Sequence, residues 1–204
     1  DHFSVTYGHI LGSGSAEENA TTEGTTQAIY KQFFNFTEPS AENLRDGAGW
    51  SMIDGTNGAN AVTQEGVYIV AAERLQMKDR LNPGTWTVTL SGSTTAGVGT
   101  SLNLTDDSKN VNAESAPFGP RYHIVEGSAG SVTTAYTTKT YGFFYPDAGL
   151  MVFGEKLSTD MSGSTPNAAA TFAASTNGSD QLQPLVGKST DGNNALRFVN
   201  CMKN

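Results

Sequence analysis

The chain has 204 residues, 37% of them hydrophobic, with 23 glycines, one cysteine and a formal net charge of −8 at a pI near 4.7. No basic stripe exists to displace phosphate counterions, and no apolar run approaches the roughly 20 residues of a membrane helix, so neither nucleic acid nor a membrane is an expected partner. Cys201 alone excludes an intramolecular disulfide framework and a thiolate zinc cluster.

The length suits one large all-β domain or two small ones, and the abundance of Gly, Ser, Thr and Asn suits many short strands joined by loops. Phe3 to Tyr7 alternates and predicts a strand. Gly12-Ser13-Gly14-Ser15 invites a phosphate-cradle reading, but it lacks a following Lys-Ser/Thr and a preceding buried strand, so a flexible loop to Thr26 is favoured. Thr26 to Phe34 predicts a helix, with Thr25 or Thr26 as N-cap and Ile29 and Phe33 four apart on one face. Residues 40–66 are rich in turn signals, with Trp50, Met52 and Ile53 giving one short strand, half of a hairpin.

Val67-Tyr68-Ile69-Val70 has the composition of a buried strand. Arg74 to Leu81 is charged and lacks alternation, which predicts an exposed turn or a single helical turn. Asn82-Pro83-Gly84 reverses direction, because Pro83 fixes φ and Gly84 admits a positive one. Thr85 to Leu90 then alternates without a break, with three threonines on one face and Trp86, Val88 and Leu90 on the other. A Gly/Ser/Thr linker, Ser91 to Thr100, leads into a strand at Ser101 to Thr105, and Asp106-Asp107-Ser108 reads as a solvated polar turn. Arg121 to Gly127 is a further strand. Tyr141 to Phe153 carries a hairpin signal, two apolar runs around Pro146-Asp147-Ala148-Gly149, with Phe143 and Tyr145 on one face and Phe144 on the other. Asp191 looks like an N-cap for a helix over Asn193 to Met202.

These elements predict a mainly β fold, an antiparallel β-sandwich or barrel-like domain with six to eight strands, two or three short helices and long loops. The β domain spans 1–157, and 158–204 is a loop-rich C-terminal segment with a short helix.

No constellation carries chemistry. His2, His9 and His123 are the only imidazoles; His2 and His9 sit seven apart, which puts them on opposite faces of a strand. Asp106-Asp107-Ser108-Lys109-Asn110 has the acidity of a calcium loop without its ligand ladder. No carboxylate pair stands out for glycoside hydrolysis. The sequons at Asn19, Asn35, Asn103 and Asn177 are expected by chance in such a composition. The chain is therefore read as a non-enzyme with no catalytic, cofactor-binding or metal-binding residue and no cofactor.

Six pieces in order carry a resemblance: Thr6-Tyr7-Gly8-His9 before Gly12-Ser13-Gly14-Ser15; Gln27-Ala28-Ile29-Tyr30-Lys31-Gln32-Phe33; Val67-Tyr68-Ile69-Val70; Met77 to Trp86; Leu104-Thr105-Asp106-Asp107; and Tyr141 to Leu150. Together they resemble virion structural proteins of tailed phages, above all those of contractile-tailed cyanophages. The resemblance implies a non-enzymatic structural component of the tail or baseplate, assembled in the host cytoplasm, whose partners are other virion proteins and copies of itself. Members of that family continue past the point where this chain ends, which implies a longer polypeptide. A capsid decoration or cement protein has the same composition and a different partner. A carbohydrate- or receptor-binding module would use an exposed Trp50 or exposed tyrosines.

Overall fold

A computed structural model describes residues 2–12, 24–38, 49–53, 61–93 and 99–154. Among them the chain forms β1 Phe3–His9, α1 Thr25–Thr37, β2 Ser51–Ile53, β3 Ala61–Thr63, β4 Gly66–Ala72, β5 Val88–Ser93, β6 Gly99–Asp106, β7 Glu114–Ala116, β8 Gly119–Ser128, β9 Ser131–Val132, β10 Gly142–Tyr145 and β11 Leu150–Gly154. The fold is mainly β, as its alternating segments predict: one antiparallel sheet curled into a half-barrel, with α1 laid on it. The strand order is β1-β4-β11-β10-β8-β6-β5, with β7 and β9 added to β8, while β2 and β3 pair separately as the expected hairpin.

The sheet has an apolar cluster on each face, and period-two alternation decides which residue serves which. In β4, Val67 and Ile69 join Tyr30, Phe34, Trp50, Met52, Phe143, Tyr145, Leu150 and Val152 beneath the helix. Tyr68 and Val70 join Leu90, Leu104, Ile124, Tyr141, Phe144 and Phe153 inside the curl. Thus β4, flanked by β1 and β11, is buried on both sides, which is why it reads as a continuous apolar run. Both ends of the curl reach the same inner cluster, Phe3, Val5 and Tyr7 from β1 and Val88 from β5, each only partly buried.

Packing rather than propensity holds α1. Its sequence is rich in threonine and aromatic residues, each unfavourable by up to roughly 0.7 kcal/mol relative to alanine, and no side chain caps its start, which falls at Gly24 rather than at Thr25 or Thr26. Burial of Tyr30 and Phe34, at about 1.5–3 kcal/mol each, outweighs that deficit. The buried stripe runs through Thr26, Tyr30, Phe34 and Thr37, one residue along from the expected Ile29 and Phe33, which pack at its margin. Gly8 lets the helix come this close, since a Cβ there would stand 2.9 Å from the Tyr30 backbone nitrogen.

Other expectations shift in detail. The alternation from Thr85 to Leu90 holds, with exposed threonines, but the ladder begins only at Val88 and continues to Ser93. Of the expected linker, Ser91 to Ser93 and Gly99 to Thr100 therefore belong to the β5–β6 ladder, because backbone pairing does not require an apolar composition, and 94–98 lie outside the described residues. Arg74–Gln76 is a single 3-10 turn, and Gly84 has φ +72° in the reversal after Pro83. The short strands β3, β7 and β9 raise the count above the expected six to eight. Among the described residues α1 and that 3-10 turn are the helical elements; the expected helix at Asn193 to Met202, like the whole of 158–204, lies outside them.

Candidate functional site

The polar groups that the sequence assigns to a solvated turn are buried. Asp106 is 0% exposed and Asp107 2%. Both carboxylate oxygens of Asp106 accept the Gly84 N–H at 2.9 Å, and Oδ2 also accepts the Ser108 N–H at 3.3 Å. The adjoining turns tie in at the same place. Thr105 donates its hydroxyl to the Trp86 carbonyl at 2.8 Å and accepts the Gly130 N–H at 2.8 Å, and Lys109 Nζ donates to the Ala129 carbonyl at 2.7 Å. A buried carboxyl group needs partners for its oxygens, and with those N–H bonds Asp106 acts here as a structural acceptor.

Asp107 faces the other way and begins a longer chain of contacts. Its Oδ1 accepts the His123 N–H at 3.0 Å, and its Oδ2 accepts from His123 Nδ1 at 3.2 Å. His123 Nε2 lies 3.6 Å from Glu114 Oε1. Glu114 Oε2 accepts from Arg121 Nε at 2.9 Å and from its Nη2, while Arg121 Nη1 reaches both oxygens of Glu38 at 2.9 and 2.8 Å. Glu38 Oε1 accepts the Tyr145 hydroxyl at 2.5 Å, and Tyr145 accepts from Trp50 Nε1 at 3.1 Å. The series joins the end of α1 to the residue before β2, to β7, β8 and β10, and to the segment after β6. A carboxylate at the C-cap of α1 opposes the helix dipole, and the Arg121 guanidinium offsets it.

Local electrostatics follow from this arrangement. Burial alone would pull the Arg121 pKa down; the carboxylates of Glu38 and Glu114 and the phenol of Tyr145 override it, leaving the guanidinium above its ordinary value. Burial, with the charge of Glu38 beside it, raises the Tyr145 phenol well above its ordinary range. The Arg121 guanidinium also lies 4.3 Å from the Phe143 ring centroid, and the His123 ring stacks on Tyr136 at 4.3 Å.

The histidines are not brought together. His2 is exposed, His9 is buried with Nδ1 accepting the Leu11 N–H at 3.1 Å, and His123 has a carboxylate at each ring nitrogen. That geometry orients the His123 imidazole between two carboxylates. Among the described residues no group of three or more His, Cys, Asp or Glu side chains could hold a metal ion, and no helix is long and apolar enough to cross a membrane.

Trp50 corrects an expectation. It is 1% exposed, edge-on to Tyr30 and Phe34 at 4.9 and 5.1 Å, and therefore a core residue rather than a glycan platform. Among the described residues the exposed large apolar side chains are Leu11, Leu75, Phe36 and Phe118, the last two stacked at 3.8 Å. Of the sequons, Asn35 lies within α1, and Asn103 accepts the Thr89 hydroxyl at 2.8 Å across the β5–β6 ladder; Asn19 and Asn177 lie outside the described residues, as does Ser13-Gly14-Ser15. One signal pointed to Asp106: counting by twos from Leu102 through Leu104 puts it on the apolar face of β6. No comparable local signal pointed to Asp107, whose partner is sixteen residues away.

No protein-family model matches the chain, and neither a curated protein nor a solved structure matches it.

Proposed function

We propose that the chain is a non-enzymatic structural subunit of a tailed-phage particle, placed in the tail or baseplate, which works through contacts with other virion proteins and with copies of itself. The observation that carries this reading is that the segments resembling phage virion proteins are bonded to one another in the folded chain. Gly84 of one such segment donates to Asp106 of the next, Leu81 donates to the Pro146 carbonyl at 3.1 Å, Tyr7 stands opposite Tyr68 in the β1–β4 register, and Tyr30 packs over Gly8. The segments that carry the resemblance are thus neighbours in one scaffold. The buried ionisable groups suit such a role, since each described carboxylate in the Asp107–Trp50 series holds a structural partner. The composition also suits it: an acidic surface limits non-specific adhesion to packaged DNA.

The test is mass spectrometry of purified particles followed by a density map with the chain located. Density in the tail or baseplate supports the reading. Density on the head lattice would make it a capsid decoration protein instead, and absence from the particle would refute both. A glycan-binding role finds less support, because Trp50, its natural platform, is buried.

A further inference from the structure

The half-barrel ends at β5, and that end differs from the rest of the molecule in charge. From Thr85 through Thr105 there is no Asp, Glu, Lys, Arg or His, although the chain carries 32 charged side chains, twelve basic and twenty acidic. Exposed edge strands are ordinarily guarded by lysine, proline or an inward-pointing charge, because an edge offers unpaired N–H and C=O groups to any passing strand. Among the described residues β5 pairs with β6 and with no other strand, and it has none of these guards. The opposite end is not equivalent: α1 crosses β1 at Gly8.

The flanks of β5 suit a strand added beside it. Thr85, Thr87 and Thr89 form an exposed row on one face, and threonine pairs across neighbouring strands are favourable. On the other face Trp86, Val88 and Leu102 pack on the inner cluster but remain only partly covered where the curl stops. A further strand would extend the cover over them.

We infer that β5 is an assembly edge and that its occupant is the β5 strand of a second copy, antiparallel about a two-fold axis. A neutral edge is the argument for a like partner. Two copies that each carry −8 repel one another, and they oppose contact least where neither presents a charge. An antiparallel edge is also self-complementary under two-fold rotation, so one unguarded strand suffices for a closed dimer, whereas a head-to-tail contact would need a second matching edge. The inference rests on the assembly role proposed above and names one of its interfaces.

The experiment uses the full chain. Sedimentation equilibrium of the unaltered protein should show a dimer, and Thr89→Lys should weaken it by roughly tenfold or more, since the two-fold axis brings two lysines to one seam. Circular dichroism of T89K checks that the fold persists. In a Cys201→Ser background, Thr89→Cys should form an intermolecular disulfide under mild oxidation, and Leu75→Cys, on an exposed turn away from the edge, should not. A monomer at all concentrations, or a dimer that is indifferent to T89K and uncrosslinked at Thr89→Cys, overturns the inference. Equal crosslinking at both cysteines counts against it as random collision. If the chain is found in particles and T89K still assembles, the inference fails alone; if the β5 dimer forms and the chain is absent from particles, the virion reading fails alone.

Discussion

The N–H of Gly84 points at the carboxylate of Asp106 and is held by both of its oxygens at 2.9 Å, twenty-two residues along the chain and wholly out of solvent. This contact closes the reversal at Pro83-Gly84 onto the end of β6 and so sets where β5 begins. Removing the acceptor leaves the Gly84 donor buried without a partner, and bonds to a charged group are the stronger kind. Asp106→Ala should therefore lower stability by about 2–4 kcal/mol, with Asp106→Asn intermediate because it keeps one acceptor oxygen. Urea unfolding followed by tryptophan fluorescence checks both; a loss below about 0.5 kcal/mol for the alanine variant would contradict the role given to this carboxylate.

The Glu38–Arg121 pair should behave as a unit. The Glu38 and Arg121 side chains are 10% and 20% exposed; without Arg121 the largely buried Glu38 keeps only the Tyr145 hydroxyl, and without Glu38 the guanidinium keeps only the half-exposed Glu114. Glu38→Ala and Arg121→Met should each cost about 2–4 kcal/mol, somewhat under the figure for a fully buried pair. The double variant should cost less than the two losses together, with a coupling of about 1–3 kcal/mol in a double-mutant cycle. Additive losses would mean that the ion pair contributes little and that the packing of each side chain carries its effect.

Tyr145 gives the fold a dependence on alkaline pH. Its phenol titrates higher in the folded chain than the ordinary value of 10.0, first because it is buried and then because Glu38 lies beside it. A group with a raised folded pKa binds its proton more tightly when folded. Its contribution is therefore complete below pH 10 and is lost as pH rises beyond that value. Melting temperature should fall between pH 10 and 12 in the parent protein. In Tyr145→Phe that fall should be shallower, although the variant starts about 1–2 kcal/mol less stable at neutral pH because the bonds to Glu38 and Trp50 are gone. Parallel curves for the two proteins would remove Tyr145 as the cause.

The strands were legible where alternation or turn chemistry has a mechanism. Phe143 and Tyr145 divide from Phe144 as predicted, because successive strand residues face opposite sides and Pro146-Asp147-Ala148-Gly149 fixes the register. The ionic series was not legible. Arg121, Glu114, Glu38 and Tyr145 come from four separate elements, and nothing local distinguishes a carboxylate that meets a guanidinium 83 residues away from one that meets water. The burial of Trp50, which a glycan-binding module would need exposed, was not legible for a related reason. A lone tryptophan beside a short, polar hairpin looks exposed until α1 is laid across it. The strands β7 and β9 were not legible because segments of two or three residues show no alternation and pair through backbone alone.

Gly8 is the remaining point at which one atom should matter. A methyl group there would sit 2.9 Å from the Tyr30 nitrogen and 3.0 Å from its Cα, contacts with backbone that no rotamer can relieve. Replacing glycine within a strand ordinarily stabilises by about 0.4–1 kcal/mol through the unfolded chain, whereas overpacking against a helix costs about 1–3 kcal/mol, so the steric effect wins. Gly8→Ala should destabilise by the difference, and Gly8→Val by more. The loss should appear first as loosening of α1: the Tyr30, Phe34 and Trp50 cluster would open, near-UV circular dichroism would weaken, and a hydrophobic dye would bind before the sheet unfolds. If Gly8→Ala instead matches or exceeds the parent in thermal stability with an unchanged near-UV spectrum, the close crossing of α1 over β1 is not what secures the helix.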